Sequence, residues 1–159
     1  MPELRDCFQD AGFKEVRTYL QSGNVVLSGT GSPKTLARKS KALIADCFGL
    51  DIEVITRTRD ELAEVVRLNP LGKVAKDPKR YQVSFLSAEP KADVVKKLEG
   101  LVVKPEGFVV IGKEAYAWHP EGVAGSKLWN QLAGKGLGVV ATARNWTTVT
   151  KLLEMADSV

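Results

Sequence analysis

The sequence is poor in the residues that bind metals through nitrogen and sulfur. Its 159 residues include one histidine, His119, and two cysteines, Cys7 and Cys47. Neither cysteine belongs to a Cys-x-x-Cys pair, so a zinc site built from cysteine and histidine is not expected. Both cysteines lie among apolar neighbours at helical spacing. We interpret them as small buried hydrophobic residues, with a disulfide between them as the less favoured alternative.

Long apolar runs are also missing, and charge of one sign is not strongly in excess. No run approaches the roughly 18 apolar residues needed to span a bilayer. Residues 1–6 are acidic and polar, unlike a secretion signal, which predicts a cytoplasmic protein without membrane association. The formal net charge of +4 is weaker than a dedicated duplex-DNA binder usually carries. The densest basic stretch, residues 34–41, favours a solvated helix face over nucleic-acid contact.

The sequence does contain an ordered succession of helix and strand patterns, which predicts an α+β fold. We predict helices over residues 2–11, 33–48, 60–68, 91–98, 126–132 and 145–156. We predict strands over residues 16–21, 25–28, 52–56, 81–86, 108–111, 115–118 and 139–141. Turns are predicted at Ser22-Gly23-Asn24 and at Gly112-Lys113.

The order of these elements is similar in the two halves of the chain and suggests two ferredoxin-like (split βαβ) subdomains. The first, over residues 1–70, lacks its opening strand. Residues 71–79 are rich in turn formers and predict a linker, and residues 80–159 form the second subdomain.

Small, polar and cationic residues cluster at two predicted helix starts near the C-terminus. Gly125-Ser126-Lys127 begins one helix, and Arg144-Asn145 begins the other. Helix N-termini present free N–H groups and a partial positive charge, which suits an anion. The structural alternatives are that Ser126 and Asn145 only cap their helices and that Arg144, whose charge opposes the helix dipole, forms an internal salt bridge.

These clusters predict a cytoplasmic binding domain for an anionic, phosphate-bearing ligand at a cleft between the subdomains. The expected ligand-binding residues are Asn24, Ser126, Lys127, Arg144, Asn145 and Lys151. We expect no metal and no cofactor, and we assign no catalytic residue. Two alternatives stay open, an enzyme acting on a phosphorylated small molecule and a partner-binding or oligomerisation module. Nucleic acid is a weakly supported partner, and the oligomeric state is open.

Two further features have conventional interpretations. The aromatic residues Tyr81, Phe85 and Trp118 lie on predicted strands, where alternation favours the core over a stacking platform for RNA. His119 precedes a proline after a predicted strand, which indicates a surface turn. No motif places a serine or cysteine nucleophile beside this histidine.

Three segments together resemble an uncharacterised bacterial family, the domain of unknown function 1697. They are residues 16–26 (VRTYLQSGNVV), 122–128 (GVAGSKL) and 142–152 (TARNWTTVTKL). The resemblance extends over essentially the whole chain and implies an α+β fold with two ferredoxin-like subdomains. It implies no established activity. Family members usually open with a strand and a glycine-rich turn that this chain lacks, so an unpaired edge is expected in the first sheet.

Overall fold

The chain has an α+β fold, in agreement with the sequence. The computed structural model describes residues 2–19, 23–29 and 31–158. Its helices are α1 (Pro2–Asp10), α2 (Pro33–Phe48), α3 (Arg59–Leu68), α4 (Ala92–Glu99), α5 (Lys127–Ala133) and α6 (Trp146–Asp157). Its strands are β1 (Lys14–Tyr19), β2 (Asn24–Ser28), β3 (Tyr81–Leu86), β4 (Gly107–Ile111), β5 (Glu114–Trp118) and β6 (Ala141–Asn145). Among the described helices, none combines the length and apolarity that crossing a membrane requires.

Local capping signals determine where the helices of the N-terminal half begin and end. The Ser32 side chain accepts a hydrogen bond from the Thr35 N–H at the start of α2, and Gly49 adopts a left-handed conformation with φ 66° at its end. At the start of α3, Thr58 and Glu61 each accept a hydrogen bond from the backbone N–H of the other. This reciprocal capping box satisfies two donors that a helix start leaves free.

One strand prediction is wrong, and the bounds of another are displaced. Residues 49–58 form no strand, although the sequence predicts one over 52–56. The Thr56 hydroxyl instead donates to the carbonyl of Pro33, and Val54 packs against an apolar cluster. The last strand, predicted over 139–141, is β6, Ala141–Asn145. Pairing with a neighbouring strand decides both outcomes, since β propensity alone does not hold an extended segment.

The chain divides into two compact units. Unit 1 comprises residues 1–63 and 151–159, and unit 2 comprises residues 64–150. The predicted subdomain and linker boundaries at 1–70, 71–79 and 80–159 remain predictions.

Unit 1 contains a two-stranded sheet in which β1 and β2 pair in antiparallel fashion. Asn24 lies at the start of β2, where its side-chain amide donates to the carbonyl of Tyr19 at 2.9 Å. Of the predicted turn and strand, Leu20, Gln21 and Ser22 lie outside the described residues. The apolar core of this unit brings α1, β1 and α2 together through Leu4, Cys7, Phe8, Val16 and Ile44.

Cys7 and Cys47 form a disulfide that joins α1 to α2, with Cα atoms 6.5 Å apart. The interpretation of both residues as separate buried hydrophobic side chains is therefore wrong. Cys7 is buried in the core of unit 1, whereas Cys47 is exposed. Cys47 follows Ile44 by nearly one helical turn, so it lies on the same face of α2. That face packs against α1, where Cys7 lies in the same apolar cluster as Ile44.

Unit 2 contains a four-stranded sheet in the order β4-β5-β3-β6, in which all neighbouring strands are antiparallel. Tyr81, Phe85 and Trp118 are buried, which confirms their assignment to the core. Tyr81 also stacks on Trp146, with ring centroids 4.7 Å apart. An apolar cluster of this unit comprises Leu86, Leu98, Ala117, Leu128, Leu132 and Leu137.

A buried hydrogen bond connects β5 to α3 within unit 2. The hydroxyl of Tyr116 donates to the carbonyl oxygen of Val65 at 3.0 Å, and both residues are buried. Burial, together with the nearby negative charge of Glu114, raises the pKa of Tyr116 well above its ordinary value of 10.0. The hydroxyl therefore stays protonated and remains a donor at any pH near neutral.

We expect Tyr116→Phe to lower the free energy of unfolding by about 1 to 2 kcal/mol, because the Val65 carbonyl would lose its side-chain donor in a buried site. Urea unfolding provides the measurement. Tyr19→Phe is the matched control, since the Tyr19 hydroxyl has no hydrogen-bond partner among the described residues. An equal loss in both variants would contradict a specific role for the Tyr116 hydroxyl.

Candidate functional site

A small cavity lies in unit 2 between two connecting segments of the chain. One segment precedes β4, and the other runs from the end of β5 to α5. The cavity has a volume of about 210 Å³ and is lined by residues 103–106, 120–122 and 124–127. Its walls are irregular backbone, which is where rigid scaffolds usually present binding groups.

The chain reverses direction twice along the second segment, and glycine makes both reversals favourable. Gly122 and Gly125 have φ angles of 86° and 76°, in the left-handed region that side chains disfavour. The Gly122 N–H donates to the carbonyl of His119, and the Ser126 N–H donates to that of Val123. These turns bring Ser126, which begins α5, against the segment that precedes β4.

The carboxylate of Glu106 organises the wall of the cavity. Its Oε2 atom accepts hydrogen bonds from the Ser126 hydroxyl at 2.6 Å and from Nδ1 of His119 at 2.8 Å. The Val103 N–H donates to Oε1 at 3.3 Å. Although burial favours the neutral acid, these donors outweigh it and hold the pKa of Glu106 below its ordinary value of 4.5. The group is thus an anion at neutral pH.

His119 is completely buried, so the expectation of a surface turn is wrong. A carboxylate only accepts hydrogen bonds, so Nδ1 of His119 carries the hydrogen that Glu106 binds. The ring meets Trp129 edge to face, with centroids 5.6 Å apart. Nε2 is buried and has no hydrogen-bond partner within the described part of the chain. Packing against Trp129 and Glu106, neither of which is adjacent in sequence, buries this histidine.

The geometry of the cluster does not provide an activated nucleophile of the serine–histidine type. Ser126 donates to Glu106, and the histidine lies on the other side of that carboxylate. The Ser126 oxygen also accepts a hydrogen bond from the Trp129 N–H at 3.1 Å. The three residues therefore hold the two connecting segments together and leave the cavity walls fixed.

Of the residues predicted for ligand binding, the structure brings Ser126 and Lys127 to the cavity. Ser126 is also the N-cap of α5, as the sequence indicates. Arg144 and Asn145 are in unit 2 but do not line this cavity.

The two predicted residues of unit 2 that lie outside the cavity have structural contacts of their own. Arg144 lies on β6 opposite Val83, and its guanidinium donates to Thr142 Oγ1 at 2.7 Å. Arg144 is also the residue before Asn145 at the start of α6, and burial lowers the pKa of its guanidinium. Asn145 caps α6 by accepting a hydrogen bond from the Thr148 N–H at 3.0 Å.

The other two predicted residues are in unit 1. Asn24 is buried at the start of β2, where its amide stabilises the β1–β2 connection. Lys151 is half-buried on α6, with its ammonium 3.4 Å from a carboxylate oxygen of Glu154. Contacts within the protein therefore explain part of why a polar side chain lies at each of these two positions, where the sequence predicts a ligand site.

The cavity residues that sequence reasoning missed include Lys104 and Glu106. Both lie in a turn-forming stretch, Lys104-Pro105-Glu106-Gly107, that has no motif. The partners of Glu106 are 13 and 20 residues away in sequence. No local pattern connects such positions, and only the packing of β4 against β5 brings them together.

The fold and the cavity define an α+β protein with a small surface site formed by two loops. A model of the family described as Protein of unknown function (DUF1697) matches residues 1–116. The chain belongs to this family, as the resemblance indicated. Two of the three segments on which that resemblance was based, 122–128 and 142–152, lie beyond the matched residues.

The fold is also similar to a solved structure. It is that of the conserved bacterial protein SP0830 from Streptococcus pneumoniae, with a TM-score of 0.76 and 20% sequence identity. The similarity covers 99% of this chain and 88% of the other. At this identity the likeness shows a common fold and nothing about activity. No curated protein matches the chain.

Proposed function

We propose that the cavity of unit 2 binds a small anionic ligand, such as a phosphorylated metabolite. The observation that carries the proposal is the presence of two lysines, Lys104 and Lys127, one from each connecting segment. Neither forms an ion pair with any residue in the described ranges. Two ammonium groups without an ion-pair partner in the described ranges, placed beside one depression, attract an anion.

The other charged groups of the cavity are compatible with this proposal. The Glu106 carboxylate is oriented toward His119, Ser126 and the Val103 N–H, so its lone pairs are directed to protein donors. Glu121 is exposed at the rim. A volume of about 210 Å³ suits a ligand smaller than a typical drug-sized molecule, and a phosphate with a short organic group fits that limit.

Broader features of the expected function belong to the same proposal. A cytoplasmic location remains a prediction. So does a larger site, at a cleft between subdomains, that also includes Asn24, Arg144, Asn145 and Lys151. We propose a ferredoxin-like topology for unit 2, supported by the β-α-β-β-α-β succession from β3 to β6 and the order β4-β5-β3-β6.

Calorimetric titration with inorganic phosphate and a panel of phosphorylated small molecules tests the proposal. We expect saturable binding that Lys104→Ala or Lys127→Ala weakens about tenfold, which corresponds to about 1.4 kcal/mol. Raising the salt concentration should weaken it further, because solvent-exposed charges are screened.

Lys97→Ala is the matched control, since Lys97 is an exposed lysine of the same unit outside the cavity. The proposal fails if no compound binds, or if Lys97→Ala weakens binding as much as the two cavity variants.

A further inference from the structure

The disulfide of unit 1 is asymmetric in its access to solvent. Cys7 belongs to the core, with 7% of its surface exposed, whereas Cys47 is exposed in the last turn of α2. Thiol–disulfide exchange requires a thiolate to reach one sulfur in line with the bond, so access decides which sulfur is attacked. An external thiolate therefore meets the Cys47 side of this bond first.

The packing between α1 and α2 does not depend on the covalent bond alone. Leu4 and Phe8 of α1 lie in one apolar cluster with Ile44 of α2 and Val16 of β1. The Phe13 N–H also donates to the carbonyl of Phe8, which fixes the end of α1 to the following strand. These contacts remain when the sulfur–sulfur bond is broken, so opening the disulfide does not require unit 1 to unfold.

The surroundings of Cys7 also suit its reduced form. Its Sγ atom lies 3.8 Å from the carbonyl oxygen of Leu43. A free thiol at this position has a hydrogen-bond acceptor within reach, whereas the disulfide sulfur has no hydrogen to donate. The buried end of the bond therefore has a polar partner available when Cys7 becomes a thiol.

We propose that Cys47 is a site of exchange with small thiols of the glutathione class, which open the Cys7–Cys47 disulfide in the folded protein. In the first step a thiolate RS⁻ attacks Sγ of Cys47, forming Cys47–S–S–R and releasing Cys7 as a thiolate that takes a proton from water. In the second step another RS⁻ attacks the R sulfur of the mixed disulfide. This step releases Cys47 as a thiolate and forms RSSR, so the protein disulfide is reduced and two small thiols are oxidised.

The test begins with full-length protein oxidised by glutathione disulfide, followed by reduced glutathione in native buffer. Peptide mass spectrometry after acid quenching locates the adduct. We expect the glutathione adduct on Cys47 and the free thiol on Cys7, with the circular dichroism spectrum of the folded protein retained. An adduct on Cys7, two titratable thiols remaining after the oxidation step, or opening only at denaturant concentrations that unfold unit 1 would overturn the proposal.

Single variants provide an independent measurement of access. In Cys7→Ser the remaining Cys47 thiol should react with a disulfide reagent such as Ellman's at least about tenfold faster than the remaining Cys7 thiol in Cys47→Ser, because access limits the buried thiol. Equal rates in two folded variants would contradict the proposal. If either variant does not fold, the wild-type adduct location alone decides the result.

Discussion

Replacing Leu86 by alanine is expected to lower the free energy of unfolding of unit 2 by about 3 kcal/mol, within the usual range for a leucine in a closed core. Leu86 ends β3 and is 0% exposed. It shares a cluster with Leu98 of α4 and Leu128 of α5, so its removal leaves a cavity lined by side chains of two helices. A central strand paired on both edges relaxes little, which keeps that cavity open.

Urea unfolding followed by tryptophan fluorescence suits this measurement. The three tryptophans, Trp118, Trp129 and Trp146, all lie in unit 2, so the signal reports on the unit that carries the substitution. Val74→Ala is the control, because Val74 lies in the same unit and is 53% exposed, and a change below about 0.5 kcal/mol is expected there. Similar losses in both variants would show that Leu86 is not a core residue.

The helices that carry their own end signals could be predicted closely from the sequence. Ser32-Pro33 and Gly49 mark the ends of α2 within a few residues of the helix itself, and the structure uses them as predicted. Similarly, the hairpin of β4 and β5 follows from Gly112, whose φ is 59°. In each case the residues that determine the conformation are near neighbours in sequence, so periodicity and turn chemistry contain the necessary information.

Features that depend on distant partners could not be predicted in this way. The segment 52–56 has a strand pattern but pairs with no strand, and β6 begins at Ala141 because it pairs with β3 through Leu86. The sequence predicts a helix around each cysteine, but the packing of α1 against α2 that joins them is a tertiary contact.

The candidate site likewise combines residues that have a local sequence signal with residues whose role depends on distant partners. Ser126 and Lys127 have a local signal, the start of α5, and both line the cavity. Glu106 lacks such a signal because its role arises from residues 13 and 20 positions away. The burial of His119 likewise depends on Trp129, which the turn pattern around the histidine does not indicate.

Glu106→Gln is expected to lower the free energy of unfolding of unit 2 by about 2 kcal/mol at pH 7. The carboxylate accepts from three donors, and its side chain is only 12% exposed. Hydrogen bonds to an ionised acceptor are roughly twice as strong as neutral ones. Glutamine keeps the shape but replaces one accepting oxygen by an NH₂ group, so at least one of the three donors then faces another donor. Tryptophan fluorescence in urea again reports on the correct unit.

The pH dependence of that loss distinguishes a charged acceptor from simple packing. Because the native pKa of Glu106 lies below 4.5, its ionised form stabilises the native state fully above that value. The stabilisation disappears as the pH falls through the native pKa, so the difference between wild type and Glu106→Gln should be constant from pH 7 to about 5 and shrink towards pH 3.

Glu121→Gln makes the same change at an exposed carboxylate of the same cavity and should have little effect at any pH. A loss that stays the same at pH 3, or that Glu121→Gln reproduces, would mean that the charge of Glu106 does not hold the two connecting segments together. The fixed cavity wall, and with it the placement of Lys104 and Lys127 beside one depression, would then need another cause.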